Sequence, residues 1–256
     1  MLRPTLRSGV LSILALTLSA LCAGPSLAVS KNFTHTYPLV PGGSFELQNV
    51  NGPVEVQGWD RNEVEIRAVK IAKENLTDLD RVSIDVDARP ADVSVVTRYP
   101  QNEGVEVSVE YAVRVPHGAR ILHIGTVNGT LKVAGVEDIE DLHTVNGNIE
   151  VYEGAGSVHA RTTNGNVHLE LLRFQEDKGM AAETTNGSVL LALPMDTQAN
   201  LEARSMNGSF YSELPLSLES SLLPREMRGR YGKGGAPIKL NTVNGGIQVV
   251  ILRSTV

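Results

Sequence analysis

The chain has 256 residues, of which 41% are hydrophobic, 20% charged and 4% aromatic, and its formal net charge is −6. That apolar content excludes a disordered chain, and the acidic balance argues against a whole-chain nucleic-acid binder, which should be basic. Glycine is frequent at 24 residues and valine recurs throughout, so short strands and turns are expected rather than helices.

The first element is a targeting segment. Arg3 and Arg7 precede the apolar run "VLSILALTLSALCAG", which is too short to span a bilayer comfortably. Small residues at Ser26 and Ala28 place cleavage after Ala28, which makes residues 1–28 a signal peptide and 29–256 the mature chain. The competing reading keeps Cys22, the only cysteine, as a lipid anchor; Leu21 opposes it, because a small residue is wanted there. Without Cys22 the mature chain has no disulfide. No later apolar run is long enough for a transmembrane helix, so the expected location is the periplasm or cell envelope.

Residues 64–115 are irregular. "EVEIRAVKIA" and "VEVSVEYAVRV" alternate and are predicted strands, and "ENLTDLDRVSIDV" holds a helical turn before a strand. Asn-Gly pairs then dominate: Asn51-Gly52, Asn128-Gly129, Asn146-Gly147, Asn164-Gly165, Asn186-Gly187, Asn207-Gly208 and Asn244-Gly245. Their steps of 77, 18, 18, 22, 21 and 37 suggest a repeat of about 18–22 residues, with about four degenerate coils in the first gap and two steps in the last.

Alignment on the asparagine exposes the pattern. Three residues after it stand Val54, Leu131, Ile149, Val167, Val189, Phe210 and Ile247, and five after it Val56, Val133, Val151, Leu169, Leu191, Ser212 and Val249. Four before it stand Leu47, Ile124, Leu142, Ala160, Ala182, Ala203 and Leu240. The intervening positions are mixed and polar, so a half-buried strand is predicted on each side of the asparagine. Two before it, Asn49, Thr126, Thr144, Thr162, Thr184, Ser205 and Thr242 share the inward parity and form an expected hydrogen-bonding ladder. The Asn-Gly pair is a structural turn, with a left-handed backbone as the expected reason for glycine.

Two all-β architectures fit: a single-stranded β-helix, or solenoid, and an antiparallel meander of hairpins. Stacking of like residues favours the solenoid. Residues 29–256 are expected to form one such domain. Residues 214–237, with Pro215, Pro224 and several glycines, are an expected inserted loop rich in Arg225, Arg228, Arg230 and Lys233. Basic forks of this kind suit an anionic ligand.

"LQNVNGPVEVQGWDRNEVEIRA", "YAVRVPHGARI", the "TVNG/TTNG" series and "GKGGAPIKLNTVNGGIQV" resemble the exported bacterial β-strand-repeat proteins known as candidate adhesins, a domain of unknown function. The resemblance covers about residues 40–252 and implies a single-stranded β-helix with no catalytic residues to transfer.

The remaining chemistry is sparse. His123, Asp141 and His159 share an exposed column five before the asparagine, where a metal site and a surface charge ladder both fit; the ladder is preferred, and no metal or cofactor is expected. His143, Arg161, Glu183 and Arg204 form a neighbouring column of surface ion pairs. No nucleophile elbow, phosphate loop or dinucleotide fingerprint occurs. The expected function is a non-enzymatic envelope adhesin, scaffold or binding module for a protein, glycan or anionic lipid. The alternative is a β-helix polysaccharide lyase or hydrolase, which would need converging carboxylates.

Overall fold

Alternation of apolar and polar residues on either side of each asparagine produces strands that bury one face and wet the other. The computed structural model describes residues 29–73, 76–101, 104–174, 178–218 and 225–253. Residues 1–28, expected from the sequence to be a signal peptide, and Cys22 within them lie outside the described residues.

The chain begins with β1 (Val29–Pro38), β2 (Ser44–Gln48) and β3 (Val54–Trp59), the last two joined through Asn51. β4 (Glu63–Ala72) runs antiparallel to β1, and the helix α1 (Leu76–Arg81) leads to the hairpin β5 (Ser83–Arg89) and β6 (Asp92–Arg98), then to β7 (Val107–Pro116). A regular middle follows. It consists of β8 (Arg120–Gly125) and β9 (Leu131–Ala134), then β10 (Asp138–Ile139), β11 (Asp141–His143) and β12 (Ile149–Gly156). β13 (His159–Arg161) and β14 (Val167–Phe174), then β15 (Met180–Asn186) and β16 (Val189–Leu193), continue it. The last elements are β17 (Ala199–Asn207), β18 (Phe210–Ser212), β19 (Leu216–Leu218), β20 (Glu226–Tyr231), β21 (Ala236–Asn244) and β22 (Ile247–Ile251).

Strands before and after each asparagine belong to different sheets. A 10-stranded sheet runs β1-β4-β7-β3-β9-β12-β14-β16-β22-β18; a 12-stranded sheet runs β19-β20-β17-β21-β15-β13-β11-β8-β2-β6-β5, with β10 beside β8. Like positions pair in parallel from coil to coil, as Ile149 with Leu131 and Val167, and Leu142 with Ile124 and Ala160. An Asn-Gly pair therefore turns the chain from one sheet to the other within a coil. A hairpin meander would instead pair the two flanking strands with each other, so the solenoid reading holds and the meander does not.

The columns aligned in the sequence become the core between the sheets. Leu131, Ile149, Val167, Val189 and Ile247 are fully buried, as are Val151, Leu169, Leu191 and Val249. One continuous apolar cluster runs from Leu39 to Val249.

The order of the coils departs from the sequence expectation at both ends. Asn51 bonds directly to Asn128, so no series of degenerate coils separates them. The residues between them supply one coil, β6 with β7, stacked outside β2 with β3, together with the antiparallel strands β4 and β5. At the other end β21 and β22 slide between β15–β16 and β17–β18. Bonded asparagines are thus 77, 18, 18, 22, 58 and 37 residues apart, and a single 18–22-residue period does not describe the stack.

The described parts of 214–237, residues 214–218 and 225–237, hold strands as well as turns, and residues 219–224 lie outside the described residues. β20 pairs antiparallel with β17 and with β19, and Met227, Gly229 and Tyr231 face inward. A Cβ at Gly229 would lie 2.5 Å from Cγ of Leu216, so any larger residue would have to displace that side chain.

The opposite end is plugged by α1, whose Leu79 is buried. Lys70 points inward from β4 and donates from Nζ to the carbonyls of Leu79 at 2.5 Å and Val82 at 2.8 Å, satisfying acceptors at the helix end. Burial pushes its ammonium pKa down, with Lys31 nearby acting in the same direction.

Candidate functional site

The corner that carries the outer walls is built from two ladders. In the order Asn51, Asn128, Asn146, Asn164, Asn186, Asn244, Asn207, each asparagine after the first donates from Nδ2 to the Oδ1 of the one before it at 2.7–2.8 Å. Beside it, buried hydroxyls donate to glycine carbonyls one rung away: Thr144 to Gly129 at 3.0 Å, Thr162 to Gly147 at 2.9 Å, Thr184 to Gly165 and Thr242 to Gly187 at 2.8 Å, and Ser205 to Gly245 at 2.9 Å.

The reason for glycine in these turns is contact, not handedness. Among the seven Asn-Gly pairs only Gly52 and Gly245 have φ in the left-handed window, at 121° and 155°, and no asparagine does. A Cβ on Gly147 would sit 2.0 Å from the Gly129 carbonyl oxygen, and one on Gly165 2.0 Å from that of Gly147. The same overlap recurs at Gly129, Gly187, Gly208 and Gly245. The coils are stacked too closely there for any side chain.

Outward positions of the 12-stranded sheet form charged rows. His123 Nδ1 lies 2.6 Å from Asp141 Oδ2, and Asp141 pairs in register with His159. The hydrogen bond to Asp141 raises the His123 pKa, and the same bond lowers that of Asp141. Among the described residues no group of three His, Cys, Asp or Glu side chains is arranged to hold a metal ion. The next row pairs Arg161 with Glu183 at 3.0 Å. Further along, Arg204 meets Glu202 at 2.5 Å and Glu226 at 3.2 Å, and Arg228 meets both Glu226 and, at 3.5 Å, Glu202. Burial raises the Glu226 carboxyl, but Arg228 and Arg204 outweigh it and hold the pKa below its ordinary value.

Of the four basic residues expected to act together, two lie on one strand face and two flank that strand. Arg228 and Arg230 share the exposed face of β20, opposite Glu202 and Asn200 of β17. Arg225 precedes the strand, its carbonyl accepting from the Ser205 amide at 3.1 Å, and Lys233 lies in the turn beyond it, its amide donating to Gln198 Oε1 at 2.6 Å.

The 10-stranded sheet has its own outward cluster, which single-position reading of the sequence did not assemble. Tyr152 donates to Glu150 at 3.3 Å and meets the His168 ring edge-on at 5.2 Å, while His168 Nε2 lies 2.9 Å from Glu170. The signal was present: His168 occupies the outward column four after the asparagine, and Tyr152 and Glu170 the one six after it. Trp59 donates to the Glu63 carbonyl at 2.8 Å and lies under the guanidinia of Arg61 and Arg114, 4.9 and 5.7 Å from the ring centre. One open depression of about 430 Å³ on the surface is lined by Leu122, Glu140, Asp141, Ser157, His159 and Lys178.

Facing sheets, stacked asparagine corners and walls of paired charge define a β-solenoid scaffold. The Toastrack DUF4097 family model matches residues 40–250, and the chain belongs to that family. The fold is similar to the crystal structure of a candidate cell adhesion protein from Clostridium sporogenes ATCC 15579, with 13% identity, a TM-score of 0.49, and 87% of this chain and 100% of that one covered. It is also similar to a candidate adhesin from Bacteroides fragilis NCTC 9343, with 11% identity, a TM-score of 0.44, and coverage of 87% and 97%. No curated protein shows significant similarity to the chain.

Proposed function

We propose that the protein is a non-enzymatic, adhesin-like binding module of the cell envelope that holds an anionic envelope component at the β20 end of the 12-stranded wall. The observation that carries this reading is the position of Arg228 and Arg230, side by side on the exposed face of a strand fixed to a rigid stack. Guanidinium forks held in this way suit phosphate or carboxylate groups. Arg225 and Lys233 flank the same strand and extend the basic surface. Asp141 and Glu226 are held ionised by their partners, so neither is suited to act as a general acid. Export by residues 1–28 would deliver the protein to such a partner.

Arg228 bridges Glu226 and Glu202, so its reversal is tested by itself. The triple variant Arg225→Glu, Arg230→Glu, Lys233→Glu should lose salt-sensitive binding to vesicles of anionic envelope lipid and to purified anionic envelope polysaccharide while keeping the β-sheet circular dichroism spectrum of the parent. Arg228→Glu should melt lower, because it sets three carboxylates together. Unchanged binding by the triple variant to both probes overturns the proposal, and release of oligosaccharide from the polysaccharide would favour the enzyme instead.

A further inference from the structure

We infer that β1 is a pairing edge whose partner is β1 of a second copy, joined antiparallel with Phe33 opposite Phe33. β1 ends the 10-stranded sheet: β4 pairs with one side of it, and among the described residues no strand pairs with the other. Its ten residues match β4 without a register shift, from Val29 opposite Ala72 to Pro38 opposite Glu63. The edge is therefore long and regular.

Backbone alternation identifies the groups it presents. The Leu39 amide donates to the Asn62 carbonyl at 3.1 Å, one step beyond the Pro38–Glu63 pair. In an antiparallel ladder hydrogen-bonded pairs alternate. The odd-numbered residues of β1 accordingly bond β4, and Ser30, Asn32, Thr34 and Thr36 direct their N–H and C=O groups to the open side.

Natural edges of this length are protected by bulges, outward charge, proline or brevity. β18 and β19 are three residues long, and β5 carries Asp85, Asp87 and Arg89. β1 has no bulge, and its one proline is the last residue; its one lysine, Lys31, is held 2.6 Å from Asp80 of α1, which packs beside the strand.

The free groups are complementary to themselves. With Phe33 opposite Phe33, Ser30 pairs with Thr36 and Asn32 with Thr34, so all four outward residues of each copy bond the other. A shift by two residues puts Pro38, which has no N–H, into the ladder, or sets Thr36 beyond the start of the strand. The side chains agree with this register. Uncharged hydrogen-bonding pairs lie on one face; on the other, Phe33–Phe33 and the Val29–Tyr37 pairs, of a type that stabilises sheets, alternate with Lys31–His35 pairs. Phe33 and Tyr37 are only partly covered by the core and form an aromatic row with His35, the ring centroids 4.6 and 6.1 Å apart, which the partner's row would cover. The interface is isologous and closes as a two-fold dimer. β1 and β20 lie at opposite ends of the stack, so the dimer would carry a β20 wall at each far end, independently of what that wall binds.

The test uses the protein exported and processed by the cell. Its mass in solution should be twice the chain mass at about 1 to 100 μM, where an interface of ordinary size associates. Thr34→Pro removes an outward N–H without touching the β4 ladder and should give a folded monomer. Phe33→Cys should form a cross-chain disulfide rapidly on mild oxidation, because opposed residues in a non-hydrogen-bonded pair lie about 4.5 Å apart, and Asn32→Cys should form it far more slowly. A monomeric parent, or cross-linking no faster at 33 than at 32, overturns the inference.

Discussion

Asn244 donates its side-chain amide to Asn186 across 58 residues of sequence, while Asn207, which the chain reaches first, stacks on the far side of Asn244. The C-terminal coil is thus an internal rung. In a solenoid stacked in chain order, loss of the last repeat removes one interface. Here it removes the pairing of β21 with both β15 and β17 and of β22 with both β16 and β18. A chain ended at Gly235 is expected to lose cooperative unfolding altogether, whereas deletion of β1, which pairs only with β4, lowers the melting temperature and leaves the transition intact. Circular dichroism melts of the two truncations check this; a sharp transition in the first would show that the inserted coil is dispensable.

Gly147→Ala and Gly165→Ala are expected to destabilise by at least about 3 kcal/mol, since the new Cβ would overlap a backbone oxygen that has no room to move. Gly147→Asn separates contact from handedness. Asparagine tolerates a left-handed backbone, so it would be accepted if φ were the requirement, and it should instead be as damaging as alanine. Gly42 is the converse case, with φ at 77° and nothing within 4 Å of a Cβ. Gly42→Ala should cost only about 1–2 kcal/mol, the strain of the conformation alone. Denaturant unfolding of the four variants decides the matter.

Val151 is fully buried between Val133 and Leu169 in the parallel ladder. Val151→Asp sets a carboxylate in the apolar core without a partner and is expected to cost more than about 3 kcal/mol, with partial recovery as acid protonates it. Its neighbour Glu150 faces outward, and Glu150→Gln should shift stability by less than about 0.5 kcal/mol. Equal melting temperatures for the two variants would mean that the faces are assigned the wrong way round.

The inward columns were legible because every coil repeats them, from Leu47 and Val54 to Leu240 and Ile247. The same repetition hides the order of stacking. Coils bearing Thr-x-Asn-Gly fit on one another in any order, so chain order is no guide to stacking order; the local mark of Asn207 as the end rung is its coil's Ser205, Phe210 and Ser212, where the coil of Asn244 has Thr242, Ile247 and Val249. β20 was hidden because Gly229 occupies an inward position and takes no part in an apolar alternation, its space being filled by Leu216. The reason for glycine at 147 and 165 could not be read either: close approach between coils is a property of the stack, and a turn that needs a positive φ leaves the same trace in sequence. On the wall, His123 and Asp141 could be placed side by side from their column, whereas the Glu202–Arg204–Glu226–Arg228 network required the antiparallel register of β20.

The His123–Asp141 pair makes stability depend on pH in a defined sense. Its bond to Asp141 raises the His123 pKa above 6.5, so that contribution is fully present below 6.5 and fades as pH rises through the higher folded value. The same bond lowers the Asp141 pKa from 3.8, so its contribution is present above 3.8 and fades as pH falls through the lower folded value. Glu46 reinforces the shift of His123, and His143 and Arg161 that of Asp141. The pair therefore stabilises most between these limits. With side chains 33% and 47% exposed, its coupling should be no more than about 1 kcal/mol after screening. A double-mutant cycle on His123→Asn and Asp141→Asn should give that coupling near pH 5 and almost none near pH 9. The same coupling at both values would mean that the two residues interact as neutral hydrogen-bonding groups, and the charge ladder on this wall would then add nothing to stability at that rung.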